Sequence, residues 1–177
     1  MVKKCADSNG KDVITMIIAD YKMKFEPISA RETTLDHYGK CGISWHGFCV
    51  QFYLLEERED ESGTISKVPT LYTIFIDQII SDGNKQDSLS VISLLDAALA
   101  QIAQIAQELP FITSIILQSD NAKAYNSVFM LCAILLLNAK YTSNKISIIE
   151  FIHTDTQDDK TILDAHYARC NQYLCCF

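Results

Sequence analysis

Residues 13–19, Val-Ile-Thr-Met-Ile-Ile-Ala, form a continuous apolar, β-branched run that ends on Asp20. Without polar alternation such a run has no solvent side. It needs cover on both faces, which is the place of a buried strand at the centre of a sheet with helices packed against it.

The rest of the chain supplies the neighbours. Residues 43–55 hold Ile43, Trp45, Phe48, Val50, Phe52 and Leu54 among small or polar residues, a second strand. Residues 56–63, Glu-Glu-Arg-Glu-Asp-Glu-Ser-Gly, read as a solvated acidic turn, and residues 71–80 as a third strand in a hairpin with the second, broken by Ser-Asp-Gly-Asn at 81–84. Helical spacing takes over at Leu89, Ile92, Leu95, Leu99, Ile102, Ile105 and Leu109. One apolar stripe predicts a helix over 88–108, with Pro110 just beyond. Residues 112–117 are a fourth strand. Residues 122–139 are a helix apolar almost all round, hence expected to be buried, and residues 145–153 are a fifth strand. Ile162, Leu163, Ala165, Tyr167, Ala168 and Leu174 mark a last helix. The order predicts an α/β fold in a single domain over 1–177. Its five-stranded mixed sheet joins a three-strand antiparallel meander to parallel strands by right-handed crossovers, with helices on the flanks.

Composition narrows the function. A net charge of −7 leaves no basic footprint, so any affinity for nucleic acid must come from a local site or from other segments. Seven cysteines without regular spacing favour a reducing compartment, nucleus or cytoplasm. The N-terminus, Met-Val-Lys-Lys-Cys-Ala-Asp, has no signal-like apolar stretch. The longest strongly apolar run, residues 128–137, is about half of a bilayer span, so no membrane helix is expected. The sequence has no glycine-rich phosphate loop, no Gly-x-Ser-x-Gly elbow and no aromatic-basic platform for nucleic acid.

Two carboxylates share one property: Asp20 and Asp120 each stand at the end of a buried strand, and the first and fourth strands are expected to be neighbours. Asp is also common in turns and at helix N-caps, and Asp120 before Asn121-Ala122 fits a cap. As a pair they converge, and convergent carboxylates are costly unless a divalent cation lies between them. A third acid should come from the last helix. The choices are Asp155, Asp158, Asp159 and Asp164; Asp164, inside the helix where Asp is a poor helix former, is preferred, with Asp158 next.

These residues carry a resemblance. Topology and acids resemble the ribonuclease H-like superfamily, which includes the catalytic cores of DDE transposases and retroviral integrases. Gln118-Ser119-Asp120-Asn121-Ala122 is similar to the step holding the second catalytic acid there, and the stretch from His153 to Asp164 resembles the approach to the third. Three blocks also resemble uncharacterised transposon-derived eukaryotic proteins. They are Asp20-Tyr21-Lys22-Met23-Lys24-Phe25, Tyr38-Gly39-Lys40-Cys41-Gly42-Ile43-Ser44-Trp45-His46, and Asp155-Thr156-Gln157-Asp158-Asp159-Lys160 followed by Asp164. The resemblance spans residues 13–170. It departs from the pattern in having Asp rather than Glu as third acid, a longer spacing between Asp120 and Asp164, and no accompanying zinc-finger or helix-turn-helix module.

The resemblance implies strand nicking and strand transfer on DNA by two-metal phosphoryl transfer. Asp20, Asp120 and Asp164 would hold Mg²⁺ or Mn²⁺, Asn121 and Gln157 would orient ligands, and Lys24 and Lys160 would contact phosphates. A homo-oligomer is the expected assembly, and no membrane is expected among the partners. The alternative from a different class is a truncated or domesticated transposon remnant acting as a non-catalytic binding or assembly module. Two further groupings stand out. His46 with Cys49 lacks an orienting acid for nucleophilic catalysis, and His166 with Cys170, at i, i+4, makes part of a zinc site without its second pair.

Overall fold

Strand β1 (Val13–Phe25) is paired along both edges, antiparallel to β2 (Ile43–Glu59) and parallel to β4 (Ile112–Asp120). The hairpin partner of β2 is β3 (Ile65–Ile80), and β5 (Ser147–Thr154) lies parallel to β4, so the strand order is β3-β2-β1-β4-β5. The computed structural model describes residues 13–25, 43–80, 86–108, 112–154 and 162–174. Over these the chain is α/β, with a five-stranded mixed sheet flanked by helices and the 13–19 run in its central strand, as the sequence predicts.

Strand alternation sorts the side chains onto two faces. On one, Ile17, Ala19, Phe48, Val50, Phe52, Ile115 and Leu117 pack under helices α1 (Ser88–Glu108) and α2 (Val128–Tyr141). On the other, Ile18, Trp45 and Cys49 pack under Leu163 and Tyr167 of helix α3 (Ile162–Leu174), with Met16, Phe75 and Cys170 against them. Helix α1 begins where the Asp87 carboxylate accepts from the amide and hydroxyl of Ser90, both at 2.9 Å, an N-cap. By length and composition α1 could cross a bilayer. Here its apolar stripe, Val91, Leu95, Ala98, Leu99 and Ile102, is buried against the sheet, as in a core helix.

Three boundaries differ from the expectations. Asp20 is not a strand terminus, because β1 runs on to Phe25 with an irregularity in its pairing to β2 between Lys22 and Phe25. The acidic hairpin tip is shorter than expected: pairing continues to Glu59↔Ile65. The Asp60 carboxylate then closes the turn by accepting from the Ser62 and Thr64 amides at 2.9 Å each, with Gly63 at φ 78°. Helix α2 starts at Val128, not near 122, because Ser127 caps it by accepting from the Met130 amide. Nor is α2 buried all round. Met130, Ala133, Ile134 and Leu137 face the core, while Val128, Phe129, Leu131, Leu135 and Leu136 are 56–75% exposed.

Candidate functional site

The register of the sheet sets four positions in one row. Gly47 is the Cα partner of both Asp20 on β1 and Asp77 on β3, and Asp20 and Asp120 each follow directly on the parallel partners Ala19 and Ser119. Neighbouring strands lie about 4.8 Å apart, so Asp77, Gly47, Asp20 and Asp120 step across the sheet at one level. Alternation places all four on the face covered by α3, with Phe75, Trp45 and Ile18 two residues before the first three.

Gly47 is the gap in this row, and Tyr167 fills it. A Cβ at Gly47 would lie 2.3 Å from the Tyr167 hydroxyl oxygen and 2.9 Å from its Cζ, so only glycine admits the ring. The hydroxyl donates to the Asp20 carbonyl at 2.9 Å, and Trp45 meets the ring edge-on at 5.5 Å. This contact docks α3 at the level of the acids. Asp164 lies one turn before Tyr167 on α3, with an exposed side chain. Leu163 and Tyr167 share the buried face, as helical phase predicts, which turns Asp164 off the core.

Electrostatics show which charges are close. The Tyr167 hydroxyl is pushed up from its ordinary pKa first by burial, then by the carboxylates of Asp20, Asp77 and Asp164. Buried Tyr125, in the turn after β4, is pushed up by burial and then by Asp20, Tyr21, Asp120 and Tyr167. Asp20 thus acts on both hydroxyls, with Asp120 beside one and Asp164 beside the other.

Of the remaining candidates, those among the described residues have a definite place. Asp120 does not cap α2; its Oδ1 accepts from the Ala122 amide at 3.2 Å, which orients the carboxylate at the strand end. Exposed Asn121 accepts from the Asn126 amide group at 2.7 Å. Lys24 lies on β1 four residues past Asp20, while Asp155, Gln157, Asp158, Asp159 and Lys160 lie outside the described residues. The lysine that sequence reading passed over is Lys22, whose ammonium donates to Asn171 of α3 and lies 4.4 Å from the centroid of the Trp45 ring. Asp77 was also passed over. Nothing in Ile-Phe-Ile-Asp-Gln-Ile marks it, and only its pairing with Gly47 brings it into the row.

His46 and Cys49 do not meet, since an odd spacing on a strand sends them to opposite faces. His46 is fully buried with Nε2 2.9 Å from the Tyr125 hydroxyl, and burial lowers its pKa to about 3; burial raises the Cys49 thiol to about 11. Neither is poised as base or nucleophile. No protein-family model, no characterised protein and no solved structure matches the chain.

Proposed function

We propose that the chain is a ribonuclease H-like core performing metal-dependent phosphoryl transfer on DNA, of the transposase and integrase type, with Asp20, Asp120 and Asp164 as its acids. The observation that supports this most is the placing of Asp20 and Asp120 at one level on adjacent strands β1 and β4, under the helix that bears Asp164. A sheet of order β3-β2-β1-β4-β5, antiparallel in its first three strands and parallel in the others, agrees with the same reading.

The donor chemistry fits a hard cation. All three side chains offer carboxylate oxygen and no nitrogen or sulfur, the set that suits Mg²⁺ or Mn²⁺. When bound, such cations activate a water or 3′-hydroxyl for attack on phosphorus and stabilise the leaving oxygen. The chain's own part is positional. Strands β1 and β4 hold two carboxylates on rigid backbone, the Ala122 amide fixes the rotation of one, and Tyr167 sets the height of α3 and with it Asp164. Lys22, on the same face two residues past Asp20, adds positive charge where a phosphate would approach.

One observation favours the second reading, a non-catalytic assembly module: the outward face of α2 is a run of exposed apolar side chains, the kind of patch that marks an interaction surface. A nicking assay on supercoiled plasmid with Mn²⁺, beside thermal melts with and without millimolar Mg²⁺ or Mn²⁺, separates the two. Catalysis requires nicking that Asp20→Asn and Asp120→Asn abolish, and a rise in melting temperature with the cation. A protein that neither nicks nor is stabilised is the module.

A further inference from the structure

A second donor set lies at the opposite end of the acid row. Asp77 of β3 and His166 and Cys170 of α3 bring one ligand atom each within 4.8 Å of one another. The His166–Cys170 spacing places both residues on one helical face, and the sheet register supplies the third member that this pair lacked. The donor atoms differ in kind from those of the oxygen-only site.

The arrangement resembles two things, and one fails on geometry. In a Cys-His-Asp relay the thiol and the carboxylate engage different ring nitrogens, so that a proton passes through the imidazole. Here Asp77 Oδ2 takes Nε2 at 2.7 Å, and Cys170 Sγ lies nearly midway between the two nitrogens, 3.6 Å from Nε2 and 3.9 Å from Nδ1, so no thiol is aligned on Nδ1 as a relay requires. A cation shared on Nε2 would need the sulfur on that nitrogen's side of the ring, a movement open to the Cys170 side chain. Tetrahedral zinc with bonds of about 2.3 Å to sulfur and 2.0–2.1 Å to nitrogen and oxygen has S···N edges of about 3.5 Å and N···O edges of about 3.3 Å. The S···Nε2 distance of 3.6 Å matches, whereas the same geometry puts sulfur about 5 Å from Nδ1 against 3.9 Å here, so the thiol has to swing about an ångström towards Nε2 as the ion binds. The N···O distance needs to open by about half an ångström as a hydrogen bond gives way to coordination.

Two neighbours hold the donors in place. Trp45 Nε1 donates to Asp77 Oδ1 at 2.9 Å, which turns Oδ2 towards His166 and fixes the carboxylate as an outer-shell partner does in metal sites. Phe75 stacks on the imidazole at 4.0 Å between centroids and 2° between planes, which sets the ring orientation. His166 is 18% exposed and Asp77 31%, so the site is open to solvent on one side. We propose that Asp77, His166 and Cys170 form a binding site for zinc or a similar thiophilic divalent cation, with the fourth position left to water. The ion would clamp α3 to β3, beside the Tyr167 contact, and so hold the helix that presents Asp164.

Competition between the full chain and a chromophoric chelator for Zn²⁺, with Co²⁺ as spectroscopic probe, tests this. The expected result is one Zn²⁺ per chain and a thiolate-to-cobalt charge-transfer band. Both should be lost in Cys170→Ser, with zinc affinity about 100-fold weaker or more in that variant and in His166→Gln, since removing even an outer-shell partner costs about 10–100-fold. Asp77→Asn should weaken zinc in the same direction. Cys132→Ser and Asp20→Asn should leave zinc binding unchanged, which keeps this outcome separate from that of the nuclease reading. Circular dichroism of each variant distinguishes lost ligation from lost fold, and the wild-type cobalt spectrum stands without any variant. No stoichiometric binding, a thiolate band that survives Cys170→Ser, or an affinity unmoved by His166→Gln and Asp77→Asn would each overturn the proposal.

Discussion

Gly47 and Tyr167 are matched by exclusion: the hydroxyl and Cζ of the tyrosine occupy the space that any side chain at position 47 would need. Tyr167 is nearly fully buried and its hydroxyl is held by the Asp20 carbonyl, so the ring cannot swing aside without loss. Gly47→Ala should cost about 1–3 kcal/mol, the range for overpacking a filled site, read as a lower urea midpoint. Tyr167→Phe alone should cost about 1 kcal/mol for the lost hydrogen bond. In the Tyr167→Phe background Gly47→Ala should cost less than in the wild type, because the closest of the clashing atoms is gone. Strictly additive costs would refute the contact.

Asp164 is exposed, so replacing it should not touch the core. Asp164→Asn keeps shape and removes the anion; the expected outcome is loss of Mn²⁺-dependent nicking with an unfolding midpoint within about 0.5 kcal/mol of wild type, as for ordinary surface changes. Asp158→Asn is expected to retain nicking. The reverse pattern would move the third ligand to Asp158 and leave the reaction class in place.

The parts of the molecule set by local pattern were legible in the sequence. The 13–19 run could only be central, and the leucine and isoleucine stripe of α1 gave its span because a helix on a sheet repeats its buried face every three or four residues. What escaped depends on register, which joins residues far apart in the chain. Asp77 and Gly47 are unremarkable where they stand in sequence, and pairing across three strands places them beside Asp20. The exposure of α2 escapes the sequence for a related reason: an apolar helix reads as enclosed, but the sheet offers α2 only one surface.

That outer surface can be tested directly. Leu135 and Leu136 are 70% and 72% exposed and make no part of the core. Leu135→Lys with Leu136→Glu should leave the melting temperature unchanged and reduce concentration-dependent self-association in sedimentation velocity, because a contiguous exposed apolar patch favours association. Loss of the fold would place these leucines inside rather than outside. An association constant equal to the wild type's would remove α2 from any interface.

The last expectation concerns acid. His46 is fully buried, its Nδ1 has no hydrogen-bond partner among the described residues, and its Nε2 faces the Tyr125 hydroxyl. Burial lowers its pKa from 6.5 to about 3, so the folded state keeps the imidazole neutral while the unfolded chain takes up a proton. The contribution to stability is complete above about pH 6.5 and is lost as pH falls from there towards 3, by roughly 1.4 kcal/mol per unit. Between pH 7 and pH 5 the loss should be about 2 kcal/mol. The carboxylates of Glu56, Asp60 and Asp96 have pKa values lowered by hydrogen bonds; the stability they give is lost only as pH falls from their unfolded values of 4.5, 3.8 and 3.8, so they add little between pH 7 and pH 5. His46→Gln, neutral at every pH and able to hydrogen-bond Tyr125, should flatten the decline. Urea unfolding of both proteins at pH 7 and pH 5 makes the comparison; equal losses in the two would show that His46 is not the group the acid finds.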